Sequence, residues 1–251
     1  MEGHGKGQDV AEAVSGGPSP DSVVRAAVSA FSRDGFAGVT VETLAKLTGM
    51  TKRMIHYHFG DKRGLYLAAL RYATDSLAPP ENVLNRSHAV PVEGMRRFVD
   101  ALYHTFLHNP DAVRLVLREN LDPVVEADDA APLTGAHEVT LHAERLLLAG
   151  QDAGAFRPGI TAVDLLALIS SLCFFRVGNA ATAQHLSRVD MESRRNVDGM
   201  RRMVIDTVLA FLTSNISYSG YESYLEAAPA PTEAAEPDEL FDIYGDEGRI
   251  M

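Results

Sequence analysis

A short run of polar and basic side chains, Thr51-Lys52-Arg53, opens what the sequence predicts to be a short helix. From the first turn of a helix, an arginine can form two hydrogen bonds to one guanine, and a threonine can contact thymine. Other side chains suited to phosphate oxygens lie close by, and these are Thr40, His56, Tyr57, His58 and Lys62. This set of residues predicts a surface that contacts DNA.

Several of these residues also have structural interpretations. Thr40 and Thr51 stand where the N-caps of two helices belong, and capping and phosphate contact can coexist. His58 would suit the end of a helix as well as it would suit phosphate. Ile55 and Phe59 are four residues apart, so we expect both to point into a core rather than at DNA.

Three short helices would position this surface. The first carries one apolar stripe and ends at Asp34-Gly35, the second ends at Thr48-Gly49, and the third begins at Thr51. Two helices joined by a glycine turn are typical of a helix-turn-helix, whose second helix can lie in the major groove. A fourth, longer helix begins at Lys62, and Ala78-Pro79-Pro80 ends it.

The segment from Thr40 to Leu65 resembles the DNA-binding signature of the TetR family. The most specific part is Ile55-His56-Tyr57-His58-Phe59 followed by Lys62 and Leu65, with His56 in place of the usual tyrosine. The resemblance implies a three-helix head that binds DNA, joined by the fourth helix to an all-helical regulatory domain. It also implies that the protein is a homodimer held together by its last two helices.

Beyond the proline step the sequence predicts five more helices, which would form the regulatory domain. They run roughly over residues 92–108, 111–120, 137–151, 162–185 and 191–215. Residues 122–135 contain two prolines and an acidic run, so we expect a long surface loop there. The predicted organisation is therefore all-α, with a disordered arm (1–19), the head and linking helix (20–78), the regulatory and dimerisation domain (79–216) and an acidic tail (217–251).

A second pattern in the regulatory domain supports a dimer. Apolar residues recur at three- and four-residue spacing along the last helix, at Val197, Met200, Val204, Val208 and Phe211. The helix before it is apolar almost all round from Leu165 to Val177, as expected if one face meets a partner. We expect a four-helix interface between the two protomers.

Polar and aromatic residues on these apolar helices are candidates for contact with a small-molecule effector, since such sites are mostly apolar with few polar groups. They are Phe98, Leu102, His104, Phe106, Arg118, Asn120, His142, Cys173, Phe174 and Arg176. Arg176 has a competing interpretation, an ion pair with an internal carboxylate. Cys173, the only cysteine, also has a competing interpretation, as a small residue of the core.

Charge is distributed unevenly along the chain. The net charge is −11, but residues 217–251 hold nine acidic side chains against one arginine and so contribute −8. Residues 20–78 hold eight Lys or Arg against five acids, a local charge of +3, which suits phosphate. The composition of the tail predicts a solvated, disordered extension. The alternative is that the tail competes with DNA for the basic head or recruits another protein.

Other function classes fit the sequence less well. We find no glycine-rich phosphate loop, nucleophile elbow or recognisably spaced pair of catalytic carboxylates, so we predict no enzyme, and we predict no cofactor or metal site. The longest apolar run is too short to span a bilayer, which favours a cytoplasmic protein. We expect a repressor that an effector releases from a palindromic operator; a helical ligand-binding or protein-interaction module without DNA binding is the alternative.

Overall fold

A computed structural model of the chain describes residues 18–84, 89–125, 134–217, 220 and 223–225. The described residues form helices and no strand, which confirms the predicted all-α fold class. The helices are α1 (Pro20–Gly38), α2 (Val41–Thr48), α3 (Lys52–Phe59), α4 (Lys62–Asp75), α5 (Glu81–Leu84), α6 (Pro91–His108), α7 (Pro110–Leu121), α8 (Thr134–Asp152), α9 (Ala162–Gly178), α10 (Ala180–Ser187) and α11 (Arg194–Thr213).

The first four helices begin at side-chain caps, which explains why this part of the chain divides into short elements. Each cap accepts a hydrogen bond from a backbone N–H of the first helical turn, and the caps are Ser19, Thr40, Thr51 and Asp61. A cap of this kind gives a partner to an N–H that the helix itself leaves unsatisfied. Gly49 then ends α2 with a φ of 73°, a left-handed conformation that favours glycine. The predicted glycine turn is confirmed.

The first helix extends further than the sequence predicts. Asp34-Gly35 was expected to end it, yet the helix resumes after Gly35 and continues to Gly38. Gly35 has a φ of 73°, so the helix is interrupted at this residue and bends there instead of ending.

Helices α1 to α4 contribute most of the smaller hydrophobic core. Phe31, Leu44, Ile55 and Leu65 are buried together in it. Ile55 is therefore the core residue that its spacing predicts, and Phe59 is half-buried against the same cluster. We call residues 20–78 the head.

A second and larger core lies between α6, α8, α9 and α11. The buried side chains of α9 follow four-residue spacing, at Leu165, Ile169, Cys173 and Val177. Burial raises the pKa of the Cys173 thiol to about 12, which keeps it protonated near neutral pH. Cys173 lies in this core, as its second interpretation states.

The predicted helix over residues 162–185 is wrong as a single element. It divides at Asn179 into α9 and α10, which are bent by 65° relative to each other. Asn179 donates from its side chain to the carbonyl of Phe175, 3.2 Å away, and such local bonds compete with a regular helix. Within the described ranges no single helix is long and apolar enough to cross a membrane, although this bent pair passes on length and composition.

The apolar stripe of α11 was expected to face a partner protomer. It faces the core of its own protomer instead. Met200, Val204 and Val208 are buried in the second core, and Val197 and Phe211 pack against it. A stripe with this spacing indicates that one face is buried, and it cannot tell which surface buries it. This stripe therefore gives no support for the dimer.

Helix α7 belongs to both cores. Its Ala112 and Leu115 are buried in the head cluster, whereas Val113 between them is buried in the second core. The proline step that follows α4 therefore separates the helices along the chain, but the two cores remain joined by α7.

Parts of the predicted organisation lie outside the described residues. These are residues 1–17 of the arm, residues 126–133 of the acidic loop, and residues 218–219, 221–222 and 226–251 of the tail. The start of the tail is described, and there Asp164 accepts hydrogen bonds from the N–H groups of Tyr224 and Leu225 at 3.1 and 2.7 Å. The beginning of the tail is thereby attached to the first turn of α9.

The approach of α4 to α3 requires a glycine at Gly64. A Cβ atom at this position would lie 2.0 Å from the carbonyl oxygen of Phe59, closer than any backbone allows. We predict that Gly64→Ala lowers the free energy of unfolding by about 1 to 3 kcal/mol. Gly199→Ala is the matched control, because a Cβ there meets nothing within 4 Å, and it should raise stability by up to about 1 kcal/mol. Urea unfolding of both variants measures this, and equal effects would contradict it.

Candidate nucleic-acid interface and interior cavities

Helix α3 is held to the head by one side and leaves the other open. Ile55 is buried, Phe59 is half-buried, and Met50 is buried in the turn before the helix. The open side presents every predicted DNA contact of this helix and its cap, namely Thr51, Lys52, Arg53, His56, Tyr57 and His58, all of them exposed. Tyr57 is 79% exposed, which is unusual for an aromatic side chain without a partner molecule.

Some of the predicted contacts already have a neighbour within the head. Lys52 forms an ion pair with Glu42 of α2, and this bond lowers the pKa of the Glu42 carboxyl. The Nδ1 atom of the exposed His56 side chain lies 2.7 Å from the carbonyl oxygen of Gly60, which leaves the other ring nitrogen, Nε2, for contact with a partner. The ammonium of Lys62 lies 4.3 Å from the ring centre of Phe36, and this cation–π interaction stabilises its charge.

Arg53 differs from these neighbours. Within the described part of the chain it forms no hydrogen bond and no ion pair, and it is exposed one residue after the start of α3. A guanidinium in this position is available for a base edge without first breaking an internal contact. Thr40 and Thr51 do cap their helices, accepting from the N–H groups of Thr43 and Met54 at 3.1 and 3.3 Å.

The comparisons with known proteins cover both halves of the fold. A family model described as bacterial regulatory proteins, tetR family, matches residues 23–69. A second, described as the tetracyclin repressor-like C-terminal domain, matches residues 91–208. The chain belongs to the TetR family. It is therefore a DNA-binding transcriptional regulator, and the resemblance seen in the sequence is confirmed.

Similar proteins agree with this. The chain is 29% identical over 176 residues to the HTH-type transcriptional repressor NicS of Pseudomonas putida, covering 70% of this chain and 83% of that protein. The fold matches that of the transcriptional regulator SCO4942 from Streptomyces coelicolor with a TM-score of 0.57 at 23% identity, covering 76% and 97% of the two chains. It also matches Bacillus subtilis FadR in complex with stearoyl-CoA, with a TM-score of 0.55 at 12% identity, covering 77% and 100%. These two structural matches concern the fold alone.

In this TetR-family chain two cavities adjoin four of the residues predicted for an effector. A cavity of about 240 Å³ lies between α4, α6, α8 and α9, and Leu102 and Phe106 line it. A cleft of about 820 Å³ lies between α7 and α9, and Arg118 and Phe174 line it. Phe106 and Phe174 stand edge to face with ring centres 5.3 Å apart, so this aromatic pair touches both spaces.

The remaining predicted effector residues are dispersed. Phe98 and His142 are buried together with ring centres 5.0 Å apart. His104 is exposed, with Nε2 3.5 Å from the carboxylate of Asp100, and Asn120 is exposed on α7. Arg176 lines a third, smaller cavity. The structure thus brings five predicted residues to cavities, namely Leu102, Phe106, Phe174, Arg118 and Arg176. His104 and Asn120 are not among the residues that line these three cavities. All ten remain predictions.

Arg118 has a role that the sequence does not suggest. Its guanidinium donates two hydrogen bonds of 2.6 Å to the backbone carbonyls of Ser32 and Arg33 in α1. The next residue, Glu119, accepts a 2.7 Å hydrogen bond from the hydroxyl of Tyr66 in α4. Consecutive charged residues of α7 therefore hold two different helices of the head. We call these contacts the α7 clasp.

The partners in the clasp are far apart in the chain, which is why sequence reasoning missed Glu119 and Tyr66. The Arg118 bonds join residues 86 and 85 positions apart, and the Tyr66 bond joins residues 53 positions apart. Glu119 also accepts from the N–H groups of Val124 and Val125, so its carboxylate is bound on both oxygens. No local pattern reports contacts at this separation.

The Tyr66 bond can be tested by removing one hydroxyl. Tyr66 is 2% exposed, so Tyr66→Phe leaves a carboxylate without one of its donors inside the protein. We predict that the free energy of unfolding falls by about 1 to 3 kcal/mol. Tyr72→Phe on the same helix is the control, since Tyr72 is 39% exposed and a surface change costs at most about 0.5 kcal/mol. Chemical denaturation measures both, and a Tyr66→Phe variant as stable as the control would exclude a stabilising clasp.

Proposed function

We propose that this protein is a homodimeric repressor that binds a palindromic operator and that a small-molecule effector releases it. The observation that carries DNA binding to a specific sequence is the open face of α3, with the unpartnered Arg53 in its first turn. Similarity to NicS, whose name states that it is a repressor, supports repression. Two copies of α3 would enter successive major grooves about 34 to 36 Å apart.

The homodimer would form on the outward faces of α9 and α11. Because the α11 stripe is used by the protomer's own core, other residues must meet the partner. Exposed apolar side chains remain on these two helices, at Val163 and Phe175 of α9, 40% and 47% exposed, and Met203 of α11, 55% exposed. An exposed apolar surface of this kind favours association.

Release by an effector would act through the α7 clasp. Arg118 lines the cleft between α7 and α9, and the same guanidinium bonds the carbonyls of Ser32 and Arg33 in the head. A ligand that displaces α7 relative to α9 would therefore displace α1 as well. A ligand that binds one head arrangement better than the other shifts operator affinity, and operator shifts ligand affinity by the same factor.

Operator recognition is tested at Arg53. We predict that Arg53→Ala weakens binding to the operator by roughly 1 to 3 kcal/mol and relaxes the preference at one base position. Lys62→Ala should instead weaken binding to all sequences alike, because a phosphate contact carries no sequence information. The measurement is an electrophoretic mobility shift with DNA upstream of the protein's own gene, across a salt series.

Arg25→Ala is the matched control for this experiment, since Arg25 is an exposed arginine on α1 of the same head. Equal losses in Arg25→Ala and Arg53→Ala would contradict base recognition by Arg53. An absence of any salt-dependent shift, tested also with other genomic fragments, would favour the interaction module without DNA binding.

The dimer is tested by placing charge on its proposed interface. We predict that wild type sediments at twice the 27.2 kDa of one chain. The double variant Val163→Glu/Met203→Glu should sediment as a monomer, because unpaired carboxylates would be buried between the protomers. Leu148→Glu is the control, as Leu148 is 59% exposed on α8, and it should remain dimeric. A double variant that stays dimeric would place the interface elsewhere.

A further inference from the structure

A small cavity beside the break between α9 and α10 is lined by an arginine whose Nε atom is buried without a hydrogen-bond partner. The cavity measures about 230 Å³, and Arg114, Arg176 and Glu192 are its charged lining residues. Leu107, Val177 and Ala180 contribute apolar walls. It adjoins the cleft between α7 and α9, since Arg114 and Val177 line both.

Arg176 is the residue that requires explanation. Its Nε atom is buried, and among the described residues it is the one buried side-chain nitrogen or oxygen without a hydrogen-bond partner. Arg176 also forms no ion pair within the described ranges, so the predicted pairing with an internal carboxylate is not observed. A buried donor on a charged group costs free energy unless something accepts from it. The protein therefore carries a site that lacks its acceptor.

The charges of the cavity indicate how much negative charge it accepts. Arg114 is already paired with Asp111 at 3.2 Å, and Glu192 places one negative charge on the lining. The charges of Arg114 and Asp111 cancel, so Arg176 is the cation that remains on the lining, and Glu192 opposes it. Arg176 can therefore neutralise one carboxylate, and a second negative charge on a ligand would have no counter-charge there. Guanidinium binds carboxylate through two parallel hydrogen bonds, which would satisfy the Nε atom of Arg176.

The size of the cavity indicates the rest of the ligand. Pockets for drug-sized molecules measure about 300 to 1,000 Å³, and this cavity measures about 230 Å³. The apolar side chains of Leu107 and Val177 would pack against a hydrocarbon or aromatic body. Each requirement is met by a small monocarboxylic acid.

We propose that Arg176 binds the carboxylate of a small organic acid in this cavity and that such an acid is the effector. The inference rests on the proposed release by an effector and adds the chemical class of that effector. An acid bound there would contact α7 at Arg114, and the cavity adjoins the cleft that Arg118 lines. Binding could therefore displace α7, the helix that holds the head.

The competing explanation is that Arg176 turns to pair with Glu192, which lines the same cavity. The two explanations predict different stabilities for ligand-free Glu192→Gln. If Glu192 is the partner, removing its charge breaks an ion pair and lowers the melting temperature of the ligand-free protein. If Arg176 has no internal partner, the same variant keeps the melting temperature of the ligand-free protein and binds an external carboxylate more tightly, because a like charge is removed.

The experiment measures the melting temperature of the full chain with pairs of probes that differ only in charge: acetate and acetamide, hexanoate and hexanamide, benzoate and benzamide. We expect at least one carboxylate to raise the melting temperature in a concentration-dependent way, and its amide to leave the temperature unchanged. Arg176→Gln should weaken that binding by roughly tenfold or more, because the bond to a charged group is lost. Glu192→Gln should strengthen it.

Arg145→Gln is the matched control, since Arg145 is an exposed arginine of α8 that bonds the Leu141 carbonyl of its own helix. Binding in this variant should equal that of wild type. No stabilisation by any carboxylate, equal stabilisation by acid and amide, or undiminished binding in Arg176→Gln would each overturn the inference.

A mobility shift with operator DNA separates this inference from the function it rests on. If the carboxylate binds through Arg176 but leaves operator affinity unchanged, the site is correct and the proposed release is wrong. If a neutral molecule releases the operator and Arg176→Gln responds as wild type does, release is correct and the acid site is overturned.

Discussion

Helix α7 is packed into two hydrophobic cores at once, and the rest of the molecule depends on that arrangement. Ala112 and Leu115 are buried with the head, whereas Val113 is buried with the regulatory domain. One turn further along, Arg118 and Glu119 bond the head through α1 and α4. Since packed side chains tolerate little displacement, α7 cannot shift against the regulatory domain without moving the head.

This constraint places the cavities in a functional position. The cleft between α7 and α9 is bounded on one side by the helix that holds the head, and the small cavity with Arg176 adjoins it. A ligand in either space contacts α7 directly. In the proposed release, coupling between an effector and DNA would need only a helix with two packing partners, without a long chain of intermediates.

The head was predictable from the sequence because its determinants are local. The caps at Thr40 and Thr51 and the left-handed Gly49 each act within a few residues, so short patterns predict them. The four-residue spacing of Ile55 and Phe59 also predicts that Ile55 is buried in the core. The signature from Thr40 to Leu65 adds the family, which no spacing rule gives by itself.

The regulatory domain was less predictable because its determinants are distant in the chain. The stripe of α11 has the same spacing whether a partner or its own protomer buries it, and only packing decides. Asn179 ends α9 through a bond to the preceding turn, which an apolar run conceals. For Arg118 the sequence predicted contact with a ligand, because a charged residue stands on an apolar helix. Its two short hydrogen bonds to α1 are visible only in the folded structure.

If α7 transmits changes between the DNA face and the cavities, operator binding at α3 must also alter α7. Hydrogen–deuterium exchange of the full chain, with and without saturating operator DNA, measures this coupling. We expect slower exchange in α2 and α3, where DNA would bind, together with altered exchange in α7 and in the last turns of α9. Altered exchange confined to α2 and α3, with α7 unchanged, would show that α7 does not carry the coupling.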